Sequence, residues 1–143
     1  MAYNVLVALH VLTVLGAVGS VAVEAGYFGA ALLDSPATRS GVARYFQDGP
    51  GWADRLLYPA AVLGAVALLT SQGRVHPDRP WIWIPASMWT AAAVVLEVVQ
   101  RPAAAAVALE GGRRRRSARR GLLAASVVLA LLVASAVVMT AKP

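Results

Sequence analysis

The chain has 143 residues, 59% of them hydrophobic and only 14% charged, with a formal net charge of +6 and no cysteine. Water-soluble domains carry about 25% charged residues, so this composition excludes an ordinary soluble fold and points to one domain of helices packed in lipid. The missing cysteines exclude disulfides, thiolate metal centres and thiol nucleophiles, and the positive charge marks membrane topology rather than nucleic-acid binding, because the arginines crowd one loop between apolar segments.

The first apolar run, Val5–Val23, has 19 residues and no formal charge. At ~1.5 Å per residue it matches a hydrocarbon layer of ~30 Å. Ala22-Val23-Glu24-Ala25 loosely resembles a signal-peptide cleavage site. However, the leading MetAlaTyrAsn has no basic residue, and the run exceeds the ~7–15 residues of a signal core, so the segment is expected to stay as a membrane helix. It is expected to continue through Tyr27 and Phe28 towards Leu33, with the span at about residues 5–28. A loop over 34–52 follows, with turn signals at Asp34-Ser35-Pro36 and Asp48-Gly49-Pro50-Gly51. Within it, residues 38–47 read as a short surface helix, since Tyr45 and Phe46 beside Arg39 and Arg44 suit a piece lying on headgroups.

The second span covers 54–71, with Pro59 in its first turns, where a missing N–H matters least. The third covers 81–100. Trp81 and Trp83 mark its start as an interface, and Pro85 is tolerable so near a helix beginning. After Arg101-Pro102 an alanine-rich, helix-prone piece ends at Gly111-Gly112, and six arginines follow within eight residues. The fourth span covers 122–140. The expected fold is an all-α, four-helix transmembrane bundle. Arg39, Arg44, Arg55, Arg101, Arg113–Arg116, Arg119 and Arg120 fall on one side, against Arg74, Arg79 and Lys142 on the other. That bias puts loops 34–52 and 101–120 in the cytoplasm and both termini outside, as in a multi-pass protein of a bacterial inner membrane.

Orientation turns position into depth. His10 is five residues into its span, ~8 Å below the outer face, and Met88 lies ~10 Å deep in the same half. His76 falls in the outer connection and Met139 at the outer end of the last span. Imidazole and thioether together suit copper, but no H-x-x-M or M-x-x-M cluster fixes a geometry. A haem held by two histidines needs both on membrane helices, and only His10 is. His10 and Trp89 are the residues a quinone pocket would use, though a histidine and an aromatic do not define one. No cofactor is therefore expected, and an interhelical hydrogen bond is the favoured role for His10.

Glu24 and Glu97 are the carboxylates nearest the apolar spans. Glu97 and Arg101 are four apart on one helix face and can pair. His10, Ala17 and Glu24 repeat at seven-residue spacing on a stripe expected to face the bundle. A proton relay along it would cross ~21 Å with only Thr13 and Ser20 between, so structural pairing is preferred. The run Arg113, Arg114, Arg115, Arg116, Arg119 and Arg120 sets topology and offers contacts to anionic lipid, at ~1 kcal/mol per residue near the surface. An acidic partner is the less specific alternative. Gly16, Gly19 and Ser20 form a small face suited to close packing or self-association. There is no nucleophile–base pair, zinc pattern or phosphate loop, so no catalysis is expected.

Leu6-Val7-Ala8-Leu9-His10-Val11-Leu12, the small residues Gly16 and Gly19, Tyr58-Pro59 leading to Leu63-Gly64, and Trp81-Ile82-Trp83 resemble a bacterial family of small integral membrane proteins known as domain of unknown function 2269. The histidine pattern is also loosely similar to the membrane domain of copper-resistance proteins. In both groups an aromatic-Gly-Gly often follows the histidine, whereas here Thr13–Gly19 contains no tryptophan. The resemblance implies a four-helix membrane fold and supplies no activity. The expected role is an accessory or packing subunit of a membrane complex, or a self-associating protein. The alternative is a small transport or ligand-handling protein with an outer-half pocket around His10.

Overall fold

The computed structural model describes residues 2–33, 35–47, 52–71, 80–109 and 114–141. Every regular element among them is helical: α1 (Ala2–Leu33), α2 (Pro36–Gln47), α3 (Trp52–Leu69), α4 (Pro80–Val95), a π turn (Leu96–Gln100), α5 (Arg101–Ala108) and α6 (Arg114–Thr140). Three continuous apolar rods are long enough to cross a membrane: Tyr3–Leu33, Pro80–Ala108 and Arg114–Thr140. The apolar part of α3, Arg55–Leu69, is shorter.

The helices pack along buried stripes at alternating spacings of three and four. On α1 these are Ala17, Val21, Glu24, Phe28 and Ala31, and on α6 they are Arg114, Ala118, Gly121, Ala125, Val128, Leu132 and Ser135. That is the 3.5-residue period of helices crossing at a shallow angle, with small residues admitting close approach. α1 packs against α3 and α6, α6 packs against the whole α4–π–α5 rod, and α2 closes one end against α1 and α5. The His10–Ala17–Glu24 stripe does face inward, with Ala17 and Glu24 buried and His10 half-buried.

The π turn was not foreseen. Arg101 N–H reaches back five residues to the Leu96 carbonyl. Buried positions run Ala92, Leu96, Gln100, Ala103 and Val107, so two successive spacings of four break the stripe. A π turn absorbs the extra residue and keeps Ala103 and Val107 facing the core. Pro102, which has no N–H to give, interrupts the ordinary ladder at the same place. Helix then continues to Ala108, so the third apolar segment does not end as a helix at Gln100.

α3 is also offset along the bundle. A Cβ added to Gly16 would lie 2.9 Å from Leu56 Cδ1, so the start of α3 stands beside the middle of α1. Glu24 is eight residues further along α1, ~12 Å towards the arginine-rich end. The foot of α3 therefore stops well short of that end.

Candidate functional site: polar bonds between the helices

Two carbonyls of α3 receive side chains from its neighbours. His10 Nδ1 on α1 lies 2.7 Å from the Ala60 carbonyl, and Trp89 Nε1 on α4 donates to the Leu57 carbonyl at 3.2 Å. A carbonyl only accepts, so His10 donates to it through a protonated Nδ1. Gly64 makes room for this ring: a Cβ there would sit 2.9 Å from His10 Cε1 and 3.1 Å from Nδ1. His10 from α1 and Trp89 from α4 thus hold one turn of α3, and each is half-buried.

The second polar group centres on the π turn. Glu97 accepts from the Tyr58 hydroxyl of α3 through Oε1 and from Arg101 through Oε2 at 2.5 Å. Gln100, on the inner side of the same turn, donates through Nε2 to Glu24 Oε2 of α1, and both residues are buried. One irregular turn therefore ties α1 and α3 to the α4–α5 rod. Gln100 Oε1 and Arg114 Nε are buried without a hydrogen-bond partner among the described residues.

Beneath this level α2 is sewn down by aromatic rings. Tyr27 and Tyr45 stack at 3.8 Å with their planes 7° apart, and Phe28 tilts against Phe46 at 4.7 Å. Gln47 donates to the Ala108 carbonyl at 3.3 Å, and Arg114 reaches the Arg39 carbonyl at 3.4 Å. Burial first, then the Glu24 charge and then Tyr27, push the Tyr45 hydroxyl from 10.0 up to about 12. A folded value above the unfolded one means that the native state holds the proton more tightly. The resulting stability is complete below pH 10.0 and is lost as pH rises towards about 12. In a spectrophotometric titration Tyr45 is expected to ionise in a late step at about pH 12, and Tyr45→Phe to remove that step. A late step that survives the substitution would assign it elsewhere.

Among the other candidates, Met88 and Met139 are half-buried on α4 and α6. No three of His, Cys, Asp and Glu gather among the described residues. His76, Met1 and Arg113 lie outside the described residues. Gly16 packs towards Leu56, Gly19 faces open space, and the Ser20 hydroxyl bonds back to the Gly16 carbonyl of its own helix. Arg115, Arg116, Arg119 and Arg120 are exposed, whereas Arg114 is buried. Tyr58 was missed as a polar partner. Its position one helical turn after Arg55, facing the Glu97–Arg101 pair across the seam, leaves no mark in a single sequence.

An open groove runs along the outer face between the α4–π–α5 rod and α6, with a volume of about 670 Å³. No protein-family model, no curated protein and no solved structure matches this chain.

Proposed function

We propose that this chain is a non-catalytic, multi-pass protein of a bacterial inner membrane that serves as an accessory subunit or associates with itself. In this reading α3 is the fourth span, both termini are outside and the arginine-rich end is cytoplasmic. The short apolar stretch of α3 is met by local thinning of the bilayer, with Arg55 extending to the headgroups. The observation carrying the proposal is the use of the polar side chains at membrane depth. His10, Trp89, Gln100 with Glu24, and Tyr58 with Glu97 are each committed to a bond between helices. Groups engaged in holding a bundle together support a structural role better than a catalytic one.

The ligand-handling alternative has one observation in its favour: with Nδ1 held at the Ala60 carbonyl, His10 Nε2 has no hydrogen-bond partner among the described residues and is the ring atom a metal or a hydrogen-bonding ligand would use. Gentle detergent purification, followed by metal analysis and an absorption spectrum, separates the two. The accessory reading expects a complex larger than the monomer, no Soret band and no stoichiometric copper. It also expects His10→Ala to lower stability by about 1 kcal/mol without dissolving the complex. A Soret band, or stoichiometric copper that disappears in His10→Ala, would overturn it.

A further inference from the structure

The groove between the α4–π–α5 rod and α6 is a part of the surface that these interhelical bonds leave unused. Val95, Val99, Leu123 and Val127 form its walls, and the small residues Ala103 and Ala124 its floor. α6 runs antiparallel to the rod, so the apolar walls lie towards Val127 while Ser117 and Arg120 stand at the arginine-rich end. Arg120 is exposed and makes no hydrogen bond or ion pair with any described residue. It lies two residues before Leu122, where the apolar run of α6 begins. From Arg120 to Val127 the groove extends ~10 Å along α6. An apolar slot of that length, ending in an exposed guanidinium and a hydroxyl at the edge of the hydrocarbon layer, mirrors a phospholipid, whose phosphate adjoins its acyl chains. A zwitterionic headgroup would bring a second cation towards Arg116, Arg119 and Arg120, and an apolar partner helix would leave Arg120 without a counter-charge.

We propose that this groove seats one anionic two-chain glycerophospholipid, with the phosphate on Arg120 and Ser117 and an acyl chain between Val95 and Val127. The inference rests on the membrane reading above. The test uses the full chain, purified in a neutral detergent and offered phosphatidylglycerol or phosphatidylcholine, with retained lipid read by native mass spectrometry. Phosphatidylglycerol is expected to be retained in preference. Arg120→Gln should cut its retention about fivefold. Val127→Trp, which fills the slot from an exposed wall position, should cut it as well. Arg119→Gln removes the same charge outside the groove and should leave retention nearly unchanged.

Equal losses in Arg119→Gln and Arg120→Gln would mean a diffuse field and no seat. Equal retention of the two lipids, or full retention in Val127→Trp, would likewise overturn the proposal. A photo-crosslinker at Val127 that captures a polypeptide rather than lipid would assign the groove to a partner helix. Alkaline carbonate separates the underlying premise: release of the chain from membranes refutes the membrane reading itself, whereas a chain that stays in the pellet without lipid preference refutes only the seat.

Discussion

Gly121→Ala is expected to destabilise the protein by about 3 kcal/mol, the upper end of the usual cost of overpacking a core. A Cβ built at Gly121 would lie 2.2 Å, 2.4 Å and 2.5 Å from three carbons of the Phe28 ring. That ring has no exposed surface and is held against Phe46, whose own position is fixed beside the Tyr27–Tyr45 pair. It cannot swing aside, so α1 and α6 must separate along their shared seam. Gly16→Ala supplies the contrast. Its new methyl would meet the far end of a leucine side chain, Leu56 Cδ1, which can change rotamer at little cost. Thermal unfolding in detergent should therefore rank Gly121→Ala far below Gly16→Ala. Phe28→Leu should cost less in the Gly121→Ala background than alone, because the two residues compete for one volume. A Gly121→Ala protein that melts with the wild type would refute the α1–α6 contact at this level.

The helices, their order and the inward face of α1 were legible in the sequence because they follow from hydropathy, turn signals and a seven-residue spacing. The short helix was legible too, since residues 38–47 lie in a helix that begins slightly earlier, at Pro36, but Tyr45 and Phe46, expected to lie on headgroups, pack against Tyr27 and Phe28 of α1. Depth and partnership were less accessible. Gly121 reads as one more boundary glycine between the arginine run and an apolar span, and only its distance to Phe28 gives it weight. Arg114 stands among arginines that sequence treats alike, yet α6 begins there on its buried stripe and carries it under α2. The offset of α3 depends on which residue of α1 faces Leu56, a register that hydropathy does not encode. The π turn did leave a trace, in the phase change from Ala92 and Leu96 to Gln100, Ala103 and Val107 just before Pro102. Reading it required knowing which of these positions are buried.

That phase change is what brings Gln100 inward, and Gln100→Leu is expected to cost about 2 kcal/mol. Interhelical hydrogen bonds in membranes average only ~0.6 kcal/mol, which would make the substitution nearly silent. The acceptor decides otherwise: a hydrogen bond to a charged group contributes roughly 1.5–3 kcal/mol, and Glu24 is a buried carboxylate. Loss of one partner from a buried ion pair would cost ~3–5 kcal/mol, but Gln100 is neutral and Glu24 has other interactions. The intermediate figure is therefore the expected one. Gln100→Glu should be worse than Gln100→Leu at neutral pH, since two carboxylates would face each other, and should improve on acidification, when one carboxyl can donate as the amide did. Glu24→Gln should be the mildest of the three, because an amide pair can still bond across the same gap. The order to be seen in unfolding midpoints is Glu24→Gln, then Gln100→Leu, then Gln100→Glu. A Gln100→Leu protein as stable as the wild type would show that the π turn does not bind α1 through this side chain. The coupling of α1 to the α4–α5 rod would then rest on the packing of α6 and α2 and on the bonds that α3 makes to the rod.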